Sequence, residues 1–479
     1  LPQLIDYQPI EKILNQLPEN TAWASIRRDI RKKLNKSSYK LIVLDDDPTG
    51  VQTVHDIYVI TDWEKDWIKK GLSDDRNVLY ILTNTRSYGA EEAERINREI
   101  VQNLCSVARE LNIHFSIISR GDSTLRGHYP LEIDVLADQL EESCGVSVSG
   151  HLIVPAFFEA HRYTIGNTHY LAESGNLVPT SDTEFSNDAV FGYSTAHLPD
   201  YISEKSGGRV SSSEVVSISL EDIREGGVDK VYQTLLKAEN NQPIIINAAS
   251  YQDLDIVSLA VLQALEAGKH FLSRTAASFV KSLGGFENRP YVKAEDLQTS
   301  GTKGRYGGLI IVGSHTKKTT EQIQSLMDQT FVQKIEMNVP KLLDPRERDS
   351  ELHRVIGELE VKLASGLDTV IYTSRGVIKV EGKEENLHIS QSISGALVAV
   401  VQSLAVKPRF IIAKGGITSS DIATKGLGIK KAKILGQAIA GVPVWFTGSE
   451  AHFQNTPYIV FPGNVGNRES ILEIVRNLQ

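Results

Sequence analysis

A chain of 479 residues is too long for one ordinary hydrophobic core at about 100–200 residues per domain, and it predicts two large domains. Its 51 Lys and Arg stand against 60 Asp and Glu, a net charge of −9 with no long block of either sign, which argues against a nucleic-acid coat or a membrane-surface protein. An acidic total still allows an anionic ligand, held by backbone amides and a few placed arginines.

The two cysteines, Cys105 and Cys144, make no CxxC pair and no disulfide framework, so they read as inert thiols in a reducing cytosol. No apolar run approaches the ~20 residues of a membrane span and no signal-peptide core opens the chain, which makes the cytoplasm the expected location.

Residues 1–38 are polar and helix-compatible, an N-terminal extension packed on or beside the first domain. The run Leu41–Leu44 suits a buried strand, and Asp45, Asp46, Asp47, Pro48, Thr49 and Gly50 break it sharply. Val78–Asn84 predicts a second strand, and Ala93, Ile96, Ile100, Leu104, Val107 and Leu111 recur at helical spacing after it. Ile113–Ser119 and His151–Pro155 continue as strands, with a helix marked by Ile133, Leu136 and Leu140 between them. This alternation predicts βαβ units and a mostly parallel sheet.

Residues 156–215, rich in Gly, Ser, Thr, Asn and His, read as a long loop or small irregular insertion. Pro243–Ser250 returns to the α/β rhythm, and Ser282–Gly308 reads as the interdomain linker, with the boundary near residue 300. The rhythm then restarts with strands at Gly308–Ser314, Asp368–Ser374 and Arg409–Gly416, and a nearly all-apolar helix at Ile393–Val406. The expected architecture is two α/β domains, 39–300 and 301–479, with mostly parallel sheets.

Chemistry concentrates at strand exits, where open α/β sheets bind ligands. The acid turn places Asp45, Asp46, Asp47, Thr49 and Gly50 over one pocket. Ser119–Pro130 packs Arg120, Asp122, Ser123, Thr124 and Arg126 into one turn: a carboxylate between guanidinium groups stays ionised and can orient a hydroxyl or take its proton, and arginine offers a planar fork for a carboxylate. Arg162, Thr164 and Asn167 follow, with His161 and His169 read as hydrogen-bonded loop residues rather than metal ligands. In the second half, Gly415, Gly416, Ile417, Thr418 and Ser419 join a strand to a helix, the form that cradles phosphate. Gly313, Ser314, Thr316 and Thr319, and Gly463 with Asn464, repeat that form, so three Gly-rich exits suggest a nucleotide pocket.

Six ordered motifs now stand in the chain: DDxTG at Asp46–Gly50, DSTLRG at Asp122–Gly127, PAF…R at Pro155–Arg162, GS at Gly313–Ser314, GGxTS at Gly415–Ser419 and PGN at Pro462–Asn464. From about Tyr39 onward the sequence resembles the four-carbon acid sugar kinases, which phosphorylate the terminal hydroxyl of threonate-, erythronate- or oxo-tetronate-type acids. The resemblance implies an N-terminal domain for the acid, a C-terminal domain for ATP, and reaction in the cleft between them, with Mg²⁺ on the phosphates. The residues themselves put acid binding at Asp45, Asp46, Thr49, Gly50, Arg120, Ser123 and Arg162, with the acid's carboxylate expected on Arg126 and Arg162 supported by Arg120, and catalysis at Asp122 and Arg126, with Asp122 as base between Arg120 and Arg126. By the resemblance, ATP contacts fall at Ser314, Gly415 to Thr418 and Gly463, with Thr316, Ser419 and Asn464 beside them. No metal ligand is identified. The expected partners are the sugar acid and ATP, with no nucleic acid or membrane, and assembly as a homo-oligomer is left open. Arg120-Gly121 before Asp122, where many members carry Lys-x, and GGITSSD in place of GGETSG bear on which acid fits.

Two other classes stay open at this stage. The literal pattern DxDxT at Asp45–Thr49 also fits a haloacid dehalogenase-type phosphatase with Asp45 as nucleophile. A non-catalytic sugar-acid sensor would keep the arginines but need no nucleotide loops.

Overall fold

The computed structural model describes residues 9–15, 17, 26–36, 39–298, 306–313, 317–374, 383–463 and 465–479. Contacts divide the chain into two compact units, Leu1–Val54 with Asp62–Asn288, and His55–Thr61 with Arg289–Gln479. This differs from a single boundary near residue 300 in two ways. The short strand after the acid turn belongs to the second unit, and residues 289–298 already pack there, with Arg289 Nη1 2.6 Å from Asp56 and Val292 N donating to Gln437 O.

In the first unit, β1 (Tyr39–Asp45), β3 (Val78–Leu82), β4 (His114–Arg120) and β5 (Gly150–Val154) are followed by a small antiparallel sheet of β6 (Arg162–Ile165), β7 (Thr168–Glu173) and β8 (Asn176–Pro179). The large sheet is completed by β9 (Val216–Ile218), β10 (Gln242–Ile246) and β11 (Phe271–Thr275). Its order is β3-β1-β4-β11-β5-β10-β9, and each adjacent pair is parallel. Strands covered on both faces read as unbroken apolar runs, which is why Leu41–Leu44 and Leu152–Val154 carry no polar alternation.

The expected loop at 156–215 is more ordered than its composition suggests, with the β6–β8 sheet, short 3₁₀ turns and the helix Leu198–Lys205. Its backbone polar groups pair within this small sheet, so it needs no long apolar run. In the N-terminal extension, the helix Ile26–Lys36 lies against the helix Tyr251–Glu266, burying Ile26, Ile30 and Leu34 at spacings of four and pairing Arg27 with Asp255 at 2.6 Å.

One expectation is overturned. Cys105 and Cys144 form a disulfide with Cα atoms 5.5 Å apart. They sit on the helices Ala90–Leu111 and Leu131–Cys144, which pack side by side, and a pairing made by helix packing leaves no mark in the spacing of cysteines along the chain.

The second unit contains β2 (Ile57–Ile60), β12 (Leu309–Val312), β13 (Val332–Met337), β14 (Asp368–Thr373), β15 (Ile411–Lys414), β16 (Lys431–Ile439), β17 (Val442–Thr447) and β18 (Pro457–Phe461). Their order is β13-β14-β12-β15-β18-β17-β16-β2, parallel as far as β18 and antiparallel beyond. The apolar helix is part of Lys383–Ser403 and buries Ala396, Leu397, Val400 and Val401. Among the described residues no helix is long and apolar enough to cross a membrane.

Candidate active site

In the first unit, Asp45 ends β1 and Arg120 ends β4, and the two are register partners in adjacent parallel strands. Their side chains therefore meet, Arg120 Nη1 lying 3.4 Å from Asp45 Oδ1. The motif glycines make room for this pairing. A Cβ on Gly50 would overlap both carboxylate oxygens of Asp45, and one on Gly121 or Gly127 would overlap the Arg274 guanidinium; Gly127 also has φ +125, which side chains disfavour.

Asp46, 3% exposed, is surrounded by Arg274 at 3.9 Å and by Arg86 and Arg120 at 4.0 Å, yet neither of its carboxylate oxygens accepts a hydrogen bond. Burial pushes the carboxyls of Asp45 and Asp46 up, against the pull of these guanidinium groups. Burial also acts on Asp47, but Arg86 and Thr49 outweigh it and hold that carboxyl below its usual value. Thr49 donates from its amide to Asp47 at 2.8 Å, so it braces the turn from within. A buried, arginine-paired Asp45 is poorly placed for the nucleophilic role that the phosphatase pattern would give it.

The turn after β4 corrects one expectation. Asp122 does not lie between Arg120 and Arg126; it lies between Arg86 (3.3 Å) and Arg126 (2.9 Å), because Arg120 is turned toward Asp45 and Asp46. Its Oδ2 accepts from the Thr124 amide and hydroxyl and from Arg126 Nε, whereas Oδ1 is approached by Arg86. Burial opposes its ionisation, but Arg86 and Arg126 prevail and hold it well below the usual carboxylate range. Arg126 is further committed to Asp188 at 3.6 Å.

Arg162, at the start of β6, differs from the other arginines of the cluster. Its Nη1 donates to Ser123 Oγ at 2.6 Å, its buried Nε has no hydrogen-bond partner, and it makes no ion pair among the described residues. Burial lowers its pKa. His169 is hydrogen-bonded as expected but stands in β7 rather than in a loop: its Nε2 donates to Ser123 O at 2.8 Å, Nδ1 meets Thr164 Oγ1 at 3.0 Å, and burial brings it down to about 4, so it is a neutral tether under the turn.

Sequence reasoning missed Arg86, Arg274 and Glu132, which pairs with Arg274 at 3.3 Å. Arg274 lies in the fully buried strand Phe271–Thr275, whose sequence Phe-Leu-Ser-Arg-Thr gives no apolar run to mark it.

In the second unit, β12, β15 and β18 are neighbours and parallel, which brings Gly313, Gly415-Gly416 and Gly463 to one sheet end. Gly415 has φ +112 and ends the strand in a turn that favours glycine. A Cβ on Gly416 or Gly463 would meet no atom within 4 Å, so both border open space, while one on Gly313 would press on Thr418 Oγ1 at 2.8 Å. Ile417 is 66% exposed. Ser419 departs from its expected role, because its buried hydroxyl donates back to Gly415 O at 2.8 Å and Gly416 O at 3.0 Å, engaging its donor within the turn. Ser314, Thr316 and Asn464 lie outside the described residues. Lys414, not singled out from the sequence, is buried here and donates to Pro462 O at 2.7 Å. Among the described residues no group of three His, Cys, Asp or Glu side chains is placed to hold a metal ion.

Residues 41–283 match the family described as the sugar-binding N-terminal domain, and residues 309–471 match the nucleotide-binding C-terminal domain. A D-erythronate kinase from Heliobacterium modesticaldum (strain ATCC 51547 / Ice1) is 26% identical over 285 residues, covering 59% of this chain and 58% of that protein. The match thus spans less than two-thirds of that relative. Two solved structures share the fold: one described as a putative tRNA synthase from Salmonella typhimurium LT2 (TM-score 0.68, 16% identity, 92% of this chain and 100% of that one), and Haemophilus influenzae protein HI1011 of family DUF1537 (TM-score 0.63, 15% identity, 91% and 100%). With a sugar-binding domain matched over its arginine-rich strand exits and a nucleotide-binding domain over its glycine-rich ones, the chain belongs to the four-carbon acid sugar kinase family.

Proposed function

We propose that the protein transfers the γ-phosphoryl group of ATP to the terminal hydroxyl of a four-carbon sugar acid of threonate, erythronate or 3-oxo-tetronate type, with D-erythronate the first to test. The observation that carries this reading is Arg162, a half-buried guanidinium whose buried Nε has no partner and which has no carboxylate of its own among the described residues, in a cluster where the neighbouring arginines are already paired. A substrate carboxylate supplies the missing charge, and the planar fork suits it.

Asp122 then orients the acceptor hydroxyl through Oδ1. The hydroxyl oxygen forms a bond to the γ-phosphorus, the bond to the ADP oxygen breaks, and the hydroxyl proton passes to Asp122 and on to solvent. A carboxyl held low is a weak base, which fits a loose phosphoryl-transfer transition state in which positioning and charge stabilisation dominate. Gly416 and Gly463, which border open space after the turn at Gly415, offer the nucleotide a backbone surface in the second unit. Mg²⁺ carried on the phosphates would neutralise their charge.

Measuring ADP release against a panel of four-carbon acids tests the proposal. Acid-dependent ADP formation is expected. Hydrolysis of phosphate esters without ATP, with a phosphoaspartate at Asp45 detected by mass spectrometry, would overturn it.

A further inference from the structure

Lys414 ends β15, and its side chain is 0% exposed. Its Nζ donates to the carbonyls of Pro462 at 2.7 Å and Gly463 at 3.2 Å and lies 4.0 Å from the centroid of the Phe461 ring. These are partial charges only. Among the described residues no carboxylate pairs with Lys414, and the nearby charge that acts on it, Lys318 on the helix Lys317–Met327, has the same sign. On the helix that follows, Asp421 is engaged by Lys425 at 2.7 Å, and on β18 the Tyr458 hydroxyl donates to Ser419 O. A buried ammonium without a counter-charge is unfavourable unless something supplies one. The glycines beside it, Gly416 and Gly463, border open space.

We propose that the missing counter-charge is the polyphosphate of the nucleotide, and that Lys414 takes up a proton when nucleotide binds, making it the positioning residue that sets the pH dependence of nucleotide affinity. This rests on the nucleotide-binding reading of the second unit. By holding the carbonyls of Pro462 and Gly463, Lys414 also fixes the loop that faces the phosphates.

Burial, with Lys318 adding to it, brings the Lys414 ammonium down to about 7, so much of the free protein carries a neutral amine just above neutral pH. A polyphosphate favours the charged form and raises that value in the complex. Affinity is therefore level below about pH 7 and declines above it, by at most tenfold per pH unit, until the value in the complex is reached. The phosphates' own titration near pH 6 releases protons on binding and has the opposite sign.

The probe is ADP, titrated calorimetrically into the full chain in buffers of different ionisation enthalpy. Near pH 8 the parent protein should take up between about half and one proton per ADP, and near pH 6 none. Lys414→Met should bind ADP without that uptake, and Lys318→Gln should move the onset of uptake to higher pH. ADP binding without proton uptake in the parent, a measurement that needs no variant, or equal uptake in Lys414→Met, would show that Lys414 only braces the loop. Absence of ADP binding at both pH values would instead remove the nucleotide-binding reading itself.

Discussion

The two units gather their motif residues at the same architectural position, the carboxyl ends of neighbouring parallel strands, and equip it in opposite ways. In the first unit the exits carry a network of formal charges, with Asp45, Asp46, Asp47, Asp122 and Glu132 among Arg86, Arg120, Arg126 and Arg274, and Arg162 left over. In the second unit the corresponding exits are glycine turns with Lys414 beneath them. A small acid is recognised by direction and sign, which fixed side chains provide; a polyphosphate is recognised by close backbone approach, which glycine permits. The motif glycines divide in the same way: Gly50, Gly121 and Gly127 leave space for the side chains of Asp45 and Arg274, and Gly416 and Gly463 border open space.

The largest effect that would break this comparison belongs to Asp122. Asp122→Asn should lower turnover by roughly 10²–10⁴-fold and leave ADP affinity unchanged, as read by steady-state kinetics alongside ADP titration. Loss of nucleotide binding in that variant would contradict the separation of tasks. Next, Arg162→Lys should raise the KM for the acid about tenfold to a hundredfold, with that for ATP nearly constant, since a charge-assisted hydrogen bond contributes about 1.5–3 kcal/mol. Arg126→Lys should act mainly on turnover, because Arg126 is already engaged by Asp122 and Asp188. Equal acid KM in Arg162→Lys and the parent would move the carboxylate site elsewhere.

A glycine pair gives a smaller and more diagnostic contrast. Gly50→Ala, whose Cβ overlaps Asp45, should cost about 1–3 kcal/mol of stability in denaturant melts. Gly416→Val should cost less than about 1 kcal/mol, the scale of a helix-propensity change, and should weaken nucleotide binding. The reverse pattern would undo the division of glycines. The smallest effect is in pH. The depressed carboxyl of Asp122 adds stability above the ordinary carboxylate value near 4, and this contribution disappears as pH falls through its folded value, so the stability difference between the parent and Asp122→Asn should shrink in urea melts as the pH is taken from about 5 to about 3.

Much of this was legible along the chain because strand exits are local. The apolar run to Asp45, the turn at Asp122–Gly127 and the double glycine after Lys414 each lie within a dozen residues, and the structure brings their strands to a common end in each unit. What sequence reading missed is set by register and packing. Arg120 faces Asp45 rather than Asp122 because β1 and β4 align those two residues, and Arg86, in the 3₁₀ turn Thr85–Ser87, and Arg274, in β11, reach the acids from positions distant in sequence. The Cys105–Cys144 bond depends on how two helices lie together. Lys414 sits inside the strand expected at Arg409–Gly416, and only its burial without a carboxylate partner among the described residues sets it apart.

The excursion of residues His55–Thr61 into the second unit has a consequence for biosynthesis. β2 is made early, yet its register partners Lys431–Ile434 on β16 emerge almost at the end of the chain. While the first unit forms around it, this segment must wait for more than 350 residues of later sequence before that pairing is available. A fragment beginning at Arg289 would lack the strand altogether and leave the backbone groups of Lys431–Ile434 without these partners, an invitation to pair with another chain. The dependence runs one way: the first unit is encoded entirely before residue 289, whereas the second requires a strand translated long before the rest of it.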